Sequence, residues 1–149
     1  MRKYLNQLEK VLKEGTDQKD RTGVGTKSIF GLQERYKMSE GFPAVTTKKL
    51  AWKVMVSELL WFISGSSNLK DLKAIYPENR IWDANYEDYS KRTLNNLDGD
   101  MGRIYGCQWR NWVTADGKVV DQLQDAIDLV RQNPQSRRII AVSYTHLRA

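Results

Sequence analysis

Apolar residues along the chain first follow a helical period. Leu5, Leu8, Val11 and Leu12 fall on one face of the segment Tyr4 to Glu14, the i, i+3, i+4, i+7 pattern of an amphipathic helix. Gly15 follows as a stop. Asp20-Arg21-Thr22-Gly23-Val24-Gly25-Thr26 reads as a polar, glycine-punctuated loop. A strand-like segment runs from Ser28-Ile29-Phe30 on to Arg35-Tyr36, and Ser39-Glu40-Gly41-Phe42-Pro43 forms a turn leading to Val45 through Lys49. From Leu50 to Ile63 the chain is apolar nearly all round, too long for a strand and free of Gly and Pro. That predicts a helix buried on most sides, ended by Gly65. Asn68 to Ile75 predicts a short helix before Pro77. Ile81 to Trp112 is rich in Trp, Tyr, Asn and Gly with weak periodicity, which predicts many loops. Asp121 caps a helix with Leu123, Ala126, Ile127 and Val130 on one face, stopped at Asn133-Pro134. Arg138 to Val142 reads as a buried strand. Helices and strands without regular βαβ alternation favour an α+β fold, and no repeat, linker or second domain is visible.

Composition narrows the class. A chain of 149 residues can bury roughly 68–70% of its unfolded surface, enough for a real core. With 40% hydrophobic and 28% charged residues and three prolines, disorder and low-complexity architectures are disfavoured. One cysteine excludes an internal disulfide, and with a single histidine it excludes the usual zinc ligand sets within one chain. No metal is expected. The N-terminus has no signal-peptide core, and no run approaches the ~18 apolar residues of a membrane span; the expected location is cytoplasmic. The net charge of +6 fits nucleic acid or a small anionic substrate. The basic residues are scattered, with local pairs at Arg2-Lys3, Lys48-Lys49 and Arg137-Arg138, rather than gathered in a dense stripe.

Glu58 is the most informative position, flanked by Met55, Leu59, Leu60, Trp61 and Phe62. A carboxylate buried without a partner is costly or gives up its charge, and a carboxyl group that exchanges a proton near neutral pH suits proton shuttling. It could equally sit on the polar stripe of the helix or pair with a structural arginine. In the loop, Gly23 and Gly25 can present backbone N–H groups and Arg21 a five-donor fork suited to phosphate; an ordinary solvated turn is the plainer reading. Thr26 and Ser28 stand where a Walker A loop and a dinucleotide-binding loop respectively require glycine. Adjacent strand residues point to opposite faces, so Arg137 and Arg138 can hold one anion only at a strand start or in a bend. Trp82-Asp83 and Tyr105 to Arg110 carry aromatics able to stack on a flat heterocycle or simply to fill a core. Nothing in the spacing of Cys107 and His146 pairs them.

The blocks DRTGVGT, SEGFPAVTTKKL, SELLWFISG, IWDAN, GDMGRIYGCQWRNW, DQLQDAIDLV and NPQSRRII, in that order, resemble thymidylate synthase over residues 2–142, with a divergent tail at 143–149. The resemblance implies an α+β fold with a mixed β-sheet packed with helices, and transfer and reduction of a one-carbon unit from 5,10-methylenetetrahydrofolate to C5 of deoxyuridylate, giving thymidylate and dihydrofolate. By the same resemblance Arg21, Arg137 and Arg138 bind the nucleotide phosphate, the latter pair across a homodimer interface. Glu58 organises proton transfer and Tyr105 lies beside the nucleophile. Trp82 and Asn85 contact the folate pterin, and Lys48 its glutamate tail.

Two departures stand out. Ala51 occupies a place where many members carry a folate-contacting histidine. The family's nucleophilic cysteine follows RRII further along, whereas this sequence reads to Ala149 without reaching it, and Cys107 is not that residue. SYTHLRA stands where the family continues with tryptophan-asparagine-proline after Ala141-Val142-Ser143. The expectation is therefore an N-terminal portion, inactive alone, of a homodimeric enzyme with deoxyuridylate and folate as partners, no membrane, and nucleic acid disfavoured. A deoxypyrimidine hydroxymethylase fragment shares these blocks. A non-catalytic fragment that binds nucleotide phosphate or RNA is the alternative of another class.

Overall fold

The computed structural model describes residues 1–20, 23–93 and 98–143 and divides into two compact units, Met1–Leu50 and Ala51 onward. It is an α+β structure in which both sheets are small antiparallel ribbons. The first unit opens with α1 (Arg2–Glu14), which ends at Gly15 where the Gly15 N–H still reaches Val11 O at 2.9 Å. The hairpin of β1 (Thr16–Gln18) and β2 (Thr26–Ser28) follows, in the register Thr16↔Ser28 and Gln18↔Thr26. Asp20 closes its loop by accepting Gly25 N–H at 3.1 Å on the carboxylate. The strand expected to run on through Tyr36 ends at Ser28. Among the described residues its only partner, β1, is three residues long, and beyond it the backbone groups have no ladder there to join. Phe30 is fully exposed. The extended segment is instead tied to α1 by Lys3, whose ammonium donates to Arg35 O and lies 5.6 Å from the centre of the Tyr36 ring. A single 3₁₀ turn, Met38–Glu40, ends at Gly41 with φ 104°.

The second unit holds the core: Trp61, Phe62, Leu69, Leu72, Met101 and Ile104, flanked by Trp82, Tyr86, Tyr105 and Trp109. These come from α2 (Trp52–Ser64), α3 (Leu69–Ile75), Trp82 just before α4 (Asp83–Thr93) and Tyr86 on it, the segment 101–104, and α5 (Tyr105–Arg110). The hairpin β3 (Trp112–Val113) and β4 (Val119–Val120) leads to α6 (Gln122–Gln132). Local signals act as the sequence predicts. Gly65 takes the left-handed conformation at φ 79° to end α2. Asn68 caps α3 by accepting Lys70 N–H at 2.9 Å, and Asp121 caps α6 by accepting Gln124 N–H at 2.9 Å. α6 ends at Asn133, one residue before Pro134.

Three further expectations are corrected. First, α2 is not buried on most sides: Ser57, Trp61 and Phe62 are buried, whereas Trp52, Leu59 and Leu60 are 51%, 47% and 49% exposed. All-round apolarity signals surface that needs cover, and α3 and α5 cover one face. Second, two helices, α4 and α5, occur where loops were expected. α4 has Asp83 in its first turn and Lys91 and Arg92 in its last, a charge order that complements the helix dipole. α5 is formed by packing on α2 rather than by its own period. Third, residues 138–143 form no strand and are largely exposed. In place of a strand partner, the Gln122 side-chain amide donates to Val142 O at 2.9 Å and accepts from Val142 N–H at 3.0 Å.

The crossing of α2 and α5 depends on Gly106. A Cβ there would lie 2.9 Å from Ser66 O and 3.0 Å from Phe62 O, distances that force the backbones apart. Gly106→Ala is expected to destabilise the fold by about 1–3 kcal/mol, as overpacking does. A lowered urea midpoint with unchanged denaturant slope is the expected readout; an unchanged midpoint would refute the close crossing.

Candidate active site

Glu58 lies on α2 in line with Val54, Ser57 and Trp61, positions that share one face of a helix. It is half-buried, and its Oε1 accepts a hydrogen bond from Trp82 Nε1 at 2.6 Å. This resolves the problem the sequence posed: the carboxylate in an apolar helix is partnered by an indole rather than by an arginine. A hydrogen bond to a charged group contributes about 1.5–3 kcal/mol, and here it also fixes the direction of the carboxylate. Trp82 is held in turn by edge-on contacts with Trp61 (5.9 Å between ring centres, 73°), Phe62 (6.0 Å, 83°) and Tyr105 (6.3 Å, 73°).

Tyr105 opens α5 and packs against Phe62 at 5.1 Å and Trp109 at 6.4 Å. The two indoles beside Glu58 differ in fate. Trp82 has its acceptor, whereas the fully buried Trp61 Nε1 has no hydrogen-bond partner among the described residues. One carboxylate thus serves the outer indole, at the rim of the aromatic cluster. Glu58, Trp82 and Tyr105, which lie far apart in the sequence, are brought together. Beside an aromatic wall stand a directed carboxylate and a phenol, two groups able to hold or move a proton.

Asn85 is exposed on α4. Arg137 and Arg138 are exposed in a turn, not at a strand end, and have no ion-pair partner among the described residues. Arg138 N–H donates to Ser136 Oγ at 3.2 Å. Lys48 is exposed in the first unit, and Arg21 and His146 lie outside the described residues. Cys107 is half-buried on α5, with its Sγ 3.4 Å from Gly65 O. Among the described residues no group of His, Cys, Asp or Glu could hold a metal ion. None of their helices is long and apolar enough to cross a membrane.

The sequence reading missed Asn79. Fully buried, it donates from Nδ2 to Ser57 Oγ at 2.9 Å and to Val54 O at 3.1 Å, and accepts Ile81 N–H on Oδ1 at 3.1 Å. The segment YPENRIWD shows asparagine as a turn residue, and only the tertiary contact reveals its grip on α2. A family model described as Thymidylate synthase matches residues 2–148. That span takes in every element of both units, and the chain belongs to the thymidylate synthase family.

Proposed function

We propose that this chain carries the phosphate-binding, folate-binding and proton-relay parts of a thymidylate synthase. The reaction transfers and reduces a one-carbon unit from methylenetetrahydrofolate onto C5 of deoxyuridylate. C5 of uracil is a weak nucleophile until a thiolate adds at C6, creating an enolate that attacks the folate-derived iminium. The C5 proton must then leave, which calls for a positioned carboxylate. The observation that supports this reading best is the half-buried Glu58 carboxylate directed by Trp82 beside Tyr105.

In this reading Glu58 holds the relay proton and Tyr105 stands near the reacting carbon. Trp82 and Asn85 meet the pterin, Lys48 meets the glutamate tail, and Arg21, Arg137 and Arg138 hold the dianionic phosphate. Arg137 and Arg138, exposed and without carboxylate partners among the described residues, are free to take an anion, and several arginines on one phosphate would supply the positioning the chemistry needs. The working enzyme in this reading is a cytoplasmic homodimer, and residues 2–142 are its N-terminal part. Cys107 does not act as the nucleophile: it sits on the α5 face turned to Gly65 O, in the block GDMGRIYGCQWRNW rather than after RRII.

Two outcomes are expected. With C5-tritiated deoxyuridylate and methylenetetrahydrofolate, the 149-residue chain should release no tritium above a boiled control, because its one thiol, Cys107, is turned to Gly65 O. Release above that control would place the nucleophile within these residues. In equilibrium dialysis, replacing Arg137→Ala and Arg138→Ala together should weaken deoxyuridylate binding at least about tenfold, or roughly 1.4 kcal/mol. Binding that ignores both substitutions would overturn the phosphate assignment. Salt-dependent RNA binding without competition from deoxyuridylate would favour the non-catalytic alternative.

A further inference from the structure

We infer that Asn79 is a positioning residue that aims the Trp82 indole at Glu58, with Lys73 as its brace. The inference rests on the reading of Glu58 as the relay carboxylate and extends it to the residues that hold the relay's geometry. Asn79 sits in the connection between α3 and α4, with its side chain buried against α2. Its amide nitrogen bonds Val54 O and Ser57 Oγ, one turn before Glu58 and the residue next to it. Its amide oxygen holds Ile81 N–H, directly before Trp82. One side chain thus links the helix that carries the acceptor to the backbone that carries the donor.

Lys73 on α3 clamps the same connection from outside. Its ammonium donates to Asn79 O at 2.5 Å and pairs with the Asp83 carboxylate at 2.6 Å. The chain is therefore fixed at Asn79, Ile81 and Asp83, and Trp82 lies between those points. A fully buried amide whose nitrogen and oxygen are both bonded has little freedom to reorient, since a broken bond would leave a desolvated polar group. A Trp side chain swings about two torsions, so a backbone fixed on both sides is what keeps its N–H on one carboxylate oxygen.

The strength of the indole N–H hydrogen bond is measurable by ultraviolet resonance Raman spectroscopy, which reads it from the frequency of an indole ring mode. Subtracting the spectrum of Trp82→Phe isolates Trp82, and Glu58→Ala defines the frequency with the acceptor gone. Asn79→Ala is expected to produce at least half of the shift seen in Glu58→Ala, and Lys73→Met a smaller shift in the same direction. A purely structural role for Asn79 would lower stability and leave this band in place. An unshifted band in Asn79→Ala with helical circular dichroism retained overturns the inference. Should that variant lose its helicity, Lys73→Met decides: a shift supports the inference and no shift overturns it. None of these spectra depends on deoxyuridylate binding, so the relay reading and the positioning of Trp82 can fail separately.

Discussion

Everything in the second unit follows from how closely α2 and α5 can approach. Gly106 lets the backbone of α5 touch that of α2 at Phe62 and that of the segment after it at Ser66. Gly65 turns the chain away on the other side, against the Cβ of Arg110. With the backbones in contact, the side chains that would normally separate two helices are displaced to the flanks of the crossing. Phe62 therefore becomes the hub of the aromatic cluster, meeting Trp61, Trp82, Tyr105 and Trp109 within 6.0 Å. The cluster is stiff because its rings meet mostly edge-on or tilted, the arrangement ring quadrupoles favour. A carboxylate at its rim inherits that stiffness through the indole it contacts.

The balance at Glu58 is set by exposure as much as by bonding. A fully buried carboxylate would need nearly all its lone pairs satisfied, because desolvation of an ion costs several kcal/mol. At half burial, water still meets part of the charge, and one strong hydrogen bond from Trp82 suffices. The same arithmetic leaves Trp61 as the poorer partner. Its N–H, without a partner among the described residues, costs about 1–3 kcal/mol, which the packing of a fully buried indole offsets. The carboxylate thus stays at the surface of the aromatic cluster, partly open to water.

What the sequence made legible was whatever is decided within a few residues. α1, α3 and α6 announce themselves through period and punctuation, and Gly65, Asn68 and Asp121 end or cap helices by chemistry confined to one turn. Glu58 was legible for a related reason, a charge out of place in an apolar run. What stayed hidden was decided at long range. α5 exists because Gly106 docks on Phe62, and residues 138–142 lack a ladder that no local propensity can supply. The exposed side of α2 belongs here as well: apolarity states a demand for burial, and the sequence cannot say which neighbour meets it.

Glu58 shows why the plain and the functional readings of a buried charge are not exclusive. The plain reading asks for a structural partner, and Trp82 is one. Arginine would have neutralised the carboxylate in a bidentate ion pair, holding it charged and occupying both oxygens. An indole offers a single donor and no charge, so it orients Oε1 through one bond. That difference is chemical rather than geometric: the partner that satisfies the fold engages one oxygen by one bond instead of both in an ion pair. The Asn79 grip on α2 belongs to the same logic, because a single donor is useful only when its direction is fixed.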